Sequence, residues 1–306
     1  MGALQSNLLL LLAAAIWGLA FVAQRVGMDH VGPFTFNGVR FLLGSLSLLP
    51  MLFYYRNTTR QTTAGNSGDA VRAGILAGLI LFTAASLQQI GLIYTTAGKA
   101  AFITCLYIVL VPILGLFLKQ YVSLTTWISA MLAIIGLYLL CVKESFSIAY
   151  GDLLQLVGSL FWAIHILLIG YYANRINVLL LSFYQFVTCG VLSLGIALWS
   201  ETIAVEGLTG ALIPILYGGV VSVGVAYTLQ VLGQKYSPPS HAAIILSMET
   251  VFAVIGGFFL LGERLGFQEM LGCGLMLAGM LLTQLQSIQQ PAAEIVMTEE
   301  TSGKTG

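Results

Sequence analysis

The sequence predicts an all-α, polytopic membrane protein: ten transmembrane helices arranged as two inverted five-helix repeats. Three observations predict it. First, the 306 residues are 58% hydrophobic and only 8% charged, whereas a soluble domain carries about 25% charge. A water-exposed surface cannot absorb that much apolar side chain, but a lipid-exposed one can. Second, short polar breaks divide the chain into ten apolar runs, each close to the ~20 residues that span a bilayer as a helix. Third, the last five runs resemble the first five. Five is odd, so the second set must enter the membrane from the opposite side.

The runs are expected at 8–26, 34–55, 72–93, 97–118, 124–142, 151–171, 178–199, 208–231, 239–260 and 266–285. The first lacks the positive leader of a signal peptide and continues to Ala23, so it is read as a retained spanning helix. The second follows Gly32-Pro33, a helix-start signal. "YTTAG" separates the third and fourth runs, and Pro112 inside the fourth is expected to kink it by removing one ladder bond. "LKQYVS" precedes the fifth run, "KESFSIAYGD" the sixth, "YYANRIN" the seventh and "SETIAVEG" the eighth. Pro238-Pro239 have no amide hydrogen and suit the first turn of the ninth; "GERLGF" introduces the tenth. Residues 286–306 are polar and are expected to form a cytoplasmic tail.

With the N-terminus inside, Arg56, Arg60, Arg72, Lys119, Arg175, Lys235 and Lys304 fall on the cytoplasmic side, against Arg25, Lys143 and Arg264 outside. The positive-inside bias therefore predicts cytoplasmic N- and C-termini. The repeat pairs Trp17 with Trp162, Gly91 with Gly233, Ala100-Ala101 with Ala242-Ala243, Tyr107 with Glu249 and Gly115 with Gly257. A one-residue adjustment then pairs Gly136 with Gly279, and Lys119 with Gly262. Two repeats result, 1–145 and 146–285.

Glu249 lies near the middle of the ninth run. A carboxylate facing lipid at that depth costs several kcal/mol, so it must face the bundle interior. Three roles suit it: contact with substrate, proton coupling, or structural capping of a neighbouring helix. Tyr107 is its polar but non-acidic counterpart. Arg40, seven residues into the second run, is a structural or gating candidate with a stem long enough to snorkel. Lys99 and its counterpart His241 each begin a run, as gate, cavity edge or interface anchor. Trp17 and Trp162 lie too deep for an interfacial belt, and His165, three residues after Trp162, shares its face. These aromatics either line a cavity or fill the core. Gln88 and Tyr227 are further cavity candidates. Glycines such as Gly74, Gly78 and Gly279 are read as close-packing positions.

Other function classes find no support. No HExxH, GxSxG or phosphate-loop motif appears, and Cys105, Cys141, Cys189 and Cys273 have no metal-ligand spacing. No metal, cofactor or enzymatic activity is expected. Zero formal net charge and the absence of a basic tract argue against nucleic acid.

The segments "AAAIWGLAFVAQRVG", "TTAGKAAFITCLYIVLVPILG" and "SMETVFAVIGGFFLLGERLGFQEMLGCGLMLAGMLL" resemble EamA-type carriers of the drug/metabolite transporter superfamily, over about 8–285. The resemblance implies paired inverted repeats around a central cavity formed by helices 1, 3, 4, 6, 8 and 9. That puts Trp17, Gln88, Tyr107, His165, Tyr227 and Glu249 on cavity-forming helices. It also implies export of an amino acid or related metabolite, in a bacterial plasma membrane. The expected function is therefore a secondary transporter working by alternating access, with Glu249 as the candidate for proton coupling. Its partners would be a small metabolite and the bilayer, with no obligatory protein partner. An uncoupled facilitator, or a structural or signalling membrane protein, is the alternative.

Overall fold

A computed structural model describes residues 2–58, 67–94, 97–141, 150–261 and 266–289. Every regular element among them is helical. The first half runs α1 (Ala3–Met28), α2 (Pro33–Thr58), α3 (Ser67–Tyr94), α4 (Ala97–Thr104), α5 (Tyr107–Phe117) and α6 (Leu124–Cys141). The second half has α7 (Tyr150–Tyr172), α8 (Val178–Ser200), α9 (Val205–Gly210), α10 (Leu212–Leu216), a π-helical stretch Tyr217–Tyr227, α11 (Thr228–Gln234), α12 (Pro239–Leu246), α13 (Glu249–Leu261) and α14 (Phe267–Gln289).

Among the described residues, eight helical stretches are long and apolar enough to cross a membrane: Ala3–Met28, Pro33–Tyr54, Gly68–Tyr94, Ala100–Phe117, Tyr150–Tyr172, Val178–Ser200, Leu212–Gln234 and Pro239–Gly256. The two remaining expected runs appear as shorter apolar helices, Leu124–Leu139 and Met270–Thr283. Burial is inverted relative to a soluble protein. Phe117, Tyr121 and Trp199 are more than four-fifths exposed, while Asn37, Gln155, His165 and Gln185 are fully buried. Such an exterior matches lipid as the solvent, with polar groups turned inward.

Between apolar helices in lipid there is little hydrophobic driving force, so close backbone approach must hold the bundle. The most extensive contact joins α6 to α14; α2 lies on α8, and α3 lies on both α7 and α8. Glycine makes these approaches feasible. A Cβ at Gly136 would sit 2.5 Å from the Gly272 carbonyl oxygen, and one at Gly279 would sit 2.7 Å from that of Ser129. On α3, a Cβ at Gly78 would meet Thr188 Cβ at 2.5 Å, and Gly74 one turn earlier packs on Tyr184.

The structure departs from the sequence expectation in four places. The fourth run is interrupted at Cys105-Leu106, before Pro112 rather than at it, and α5 continues through Pro112. Tight i→i−3 bonds take over there: Leu106 N–H donates to Ile103 O and Ile108 N–H to Cys105 O. The ninth run breaks in the same way at Ser247-Met248, with Met248 N–H donating to Ile245 O and Thr250 N–H to Ser247 O. Ser247 and Thr250 hydroxyls also back-bond to Ile244 O and Ser247 O at 2.7 and 3.1 Å, a competition that loosens a helix locally. The eighth run is not a uniform α-helix, because Tyr217–Tyr227 is wound as a π-helix. Finally, α14 carries helix through Gln289, so residues 286–289 of the expected tail continue the last helix. Residues 290–306 lie outside the described residues.

Candidate substrate cavity

The two interruptions meet. Glu249 is the first residue of α13 and Tyr107 the first of α5. The Tyr107 hydroxyl donates to Glu249 Oε1 at 3.2 Å. Cys105 Sγ lies 3.4 Å from the same oxygen and 3.1 Å from Thr250 Oγ1. Residues paired by the sequence repeat are thus paired in space, each immediately after the break in its own helix. Gly18 of α1 completes the arrangement: a Cβ there would lie 2.6 Å from the Glu249 carbonyl oxygen and 2.8 Å from Ala253 N. Only glycine lets α1 close over this point.

Glu249, 6% exposed, opens onto a cavity whose empty space, its open mouth included, is about 520 Å³. Trp17, Phe21, Trp162 and Tyr227 form aromatic wall, while Gln24, Arg40, Gln88, Thr104, Tyr107, Ser222, Gln230 and Glu249 supply the polar lining. Ala20, Ile166 and Leu246 complete it. The aromatic wall is built around Tyr227, at the end of the π-helical stretch. Trp17 meets its ring edge-on at 4.6 Å between centroids, and Trp162 stacks on it at 6.3 Å. Trp17 Nε1–H donates to Ser222 O at 3.3 Å, and the Tyr217 hydroxyl donates to Ile16 O at 2.8 Å. These bonds pin the π-helical stretch to α1. An i→i+5 winding is rare and commonly falls at functional positions; here it presents both Ser222 and Tyr227 to the cavity.

Arg40 comes from α2 and is 4% exposed. Its Nε–H donates to Asn37 Oδ1 at 3.1 Å, and Asn37 is itself held by donating to Ala85 O at 3.2 Å. Its guanidinium carbon lies 5.4 Å from the Phe36 ring centroid and 5.0 Å from that of Phe41, cation–π distances. Its stem runs beside Gly218, where a Cβ would stand in ordinary contact, 3.4 Å from Arg40 Cδ.

Of the residues singled out in the sequence, Trp17, Arg40, Gln88, Tyr107, Trp162, Tyr227 and Glu249 come together around this cavity. His165 lies behind the wall. It is fully buried, shares a 2.9 Å hydrogen bond with Gln185 Oε1, and packs edge-on against Trp162 and Tyr227 at 6.1 and 6.3 Å. Lys99 falls in the first turn of α4, but its side chain lies outside the described residues. Its counterpart His241 is not on the lining and bonds Thr126 Oγ1 at 3.2 Å. Sequence reasoning missed Gln24, Thr104 and Ser222, which are uncharged and carry no motif. It also missed Gln155, whose Nε2 donates to Gln88 O at 2.8 Å while its Oε1 accepts from Thr104 Oγ1 at 3.1 Å. Gln155 thereby fixes two cavity-lining positions, and its place within an apolar run was the available signal. No group of three or more metal-ligating side chains occurs among the described residues.

A bundle of membrane-length helices around an internal cavity with a polar lining defines a multi-pass membrane protein built to accommodate a small molecule. The chain belongs to the EamA-like transporter family, matched over residues 4–142 and 149–285. It is similar to an uncharacterized transporter of Archaeoglobus fulgidus, with 33% identity over 92% of this chain and 87% of that protein. It is also similar to the uncharacterized transporter YoaV of Bacillus subtilis, at 22% identity over 87% of this chain and 92% of that one. A protein of known crystal structure superposes with a TM-score of 0.76 at 15% identity, over 94% of this chain and 98% of the other, a likeness of fold alone. The protein is a membrane transporter.

Proposed function

We propose that this transporter exports a small metabolite, an amino acid or related compound, by alternating access. Its ten spans would form two inverted five-helix repeats, 1–145 and 146–285, with residues 286–306 and the N-terminus on the cytoplasmic side of a bacterial plasma membrane. Leu124–Leu139 and Met270–Thr283, the shorter apolar helices, supply the fifth and tenth spans in this reading.

The observation that carries it is the meeting of two matched helix breaks at the cavity, joined by the Tyr107–Glu249 hydrogen bond. A broken helix can change its angle at low cost because its ladder bonds are already exchanged for i→i−3 bonds or side-chain bonds. Two such points in contact form a shared pivot on which one repeat rocks against the other. Solute then drives the exchange by making different contacts in the two states. Glu249 is the group at this pivot through which a proton would couple. The protein performs no covalent chemistry in this mechanism.

The test is a flux screen of the purified protein in proteoliposomes loaded with mixed metabolites, read by mass spectrometry. Selective efflux of particular solutes is expected. Absence of any protein-dependent flux across a broad panel would refute transport of this class. An imposed pH gradient separates coupling from facilitation: uphill accumulation supports the proton role of Glu249, and equilibration only down the solute gradient rejects it.

A further inference from the structure

Among the described residues, no side chain neutralises the charge of Arg40. Its Nε is satisfied by Asn37, and aromatic rings from Phe36 and Phe41 flank the guanidinium. Neither terminal nitrogen has a hydrogen-bond acceptor among the described residues, and no carboxylate lies within ion-pair distance of it there. Yet the residue is 96% removed from solvent by its 4% exposure, and it borders the cavity. A buried charge ordinarily finds a partner, because losing one costs several kcal/mol. Among the described residues, the other charged group on the cavity lining is Glu249, which is engaged by Tyr107 and Cys105 and makes no ion pair with Arg40.

We infer that Arg40 is an anion subsite of the cavity and that its two free guanidinium nitrogens receive the carboxylate of the transported solute. The geometry suits a planar, bidentate acceptor. Asn37 fixes the inner edge of the fork, the rings fix its plane, and the outer pair of N–H groups is left for two carboxylate oxygens. An amino-acid solute held there by its carboxylate would have its ammonium group free for the acidic and hydroxyl groups across the cavity. This assignment rests on the transport reading above and deepens it by naming the group that is recognised.

Binding, rather than flux, tests it, so that a failure of transport and a failure of this subsite give different results. The detergent-purified full chain is titrated with L-leucine, L-methionine, L-phenylalanine and L-glutamine, each beside its α-carboxamide, following fluorescence of the cavity residues Trp17 and Trp162 and thermal stabilisation. At least one acid is expected to bind about tenfold or more tightly than its amide, the scale of a charge-assisted hydrogen-bonded pair. Arg40→Gln is expected to erase that preference, and Arg40→Lys to retain part of it. Binding that shows this pattern without flux supports the subsite while counting against transport. Flux in the metabolite screen with equal binding of acids and amides overturns the subsite and leaves transport standing. Failure of every acid to bind, an undiminished preference in Arg40→Gln, or stabilisation by inorganic phosphate alone also overturns it. The acid–amide comparison uses the unaltered protein, so the inference is decided even if Arg40→Gln does not fold.

Discussion

Replacing Glu249 with Gln isolates the function of its charge from its part in holding the fold. Glutamine keeps a carbonyl oxygen at the same reach, so the Tyr107 hydroxyl can still donate across the 3.2 Å gap and Cys105 can still approach. Both interactions remain, and the cost in stability should stay below about 1 kcal/mol, within the range of a single neutral hydrogen bond. Glu249→Ala removes the acceptor altogether and strands a buried tyrosine hydroxyl on a residue 3% exposed, which should cost about 1–3 kcal/mol. The two variants therefore separate on a thermal-unfolding assay in detergent. In proteoliposomes, both should lose flux by about tenfold or more, corresponding to roughly 1.4 kcal/mol in the transport barrier. Normal flux through a normally folded Glu249→Gln protein would refute a substrate or proton role for the carboxylate. Unfolding of Glu249→Gln to the extent of Glu249→Ala would instead make it a structural group.

Gly18→Ala should push α1 off the Glu249–Ala253 backbone, because its Cβ would lie 2.6–2.8 Å from fixed main-chain atoms; a loss of about 1–3 kcal/mol, with reduced flux, is expected from thermal unfolding and transport assays. Glu201 accepts hydrogen bonds from Phe34 N, Thr35 N and Thr35 Oγ1 at 2.7–2.8 Å, capping the start of α2. Glu201→Ala should cost about 1–2 kcal/mol, with hydrogen exchange rising first at the amides of Phe34 and Thr35. Lys119 holds a left-handed conformation, φ 58°, at the end of α5, and its repeat partner in sequence is Gly262. Lys119→Gly should consequently be neutral or stabilise by up to about 1 kcal/mol, and a clear loss in melting temperature would contradict the strain argument.

The sequence established much of this architecture because the bilayer imposes a one-dimensional signal. Apolar runs of spanning length, punctuated by polar loops, announce helices without any need to know their neighbours. The same signal made Glu249 conspicuous, since a mid-membrane carboxylate must turn inward, and the internal repeat matched it to Tyr107. Gly74, Gly78, Gly136 and Gly279 were legible as packing positions because close helix approach in lipid depends on small residues.

Other features arise only from contacts between distant segments. Pro112 gave no pointer to the break at Cys105-Leu106, which is set by i→i−3 bonding and faces the matching break in the second half. The π-helical turn at Tyr217–Tyr227 has no propensity signature; bonds and packing from α1 and α2 accompany it. His165 and Trp162 share a helix face in sequence, yet one borders the cavity and the other hydrogen-bonds Gln185 behind it. Periodicity can determine which residues point inward. Whether an inward residue meets another helix or an open cavity is decided by where the neighbouring backbones lie, and only the folded bundle sets that distance.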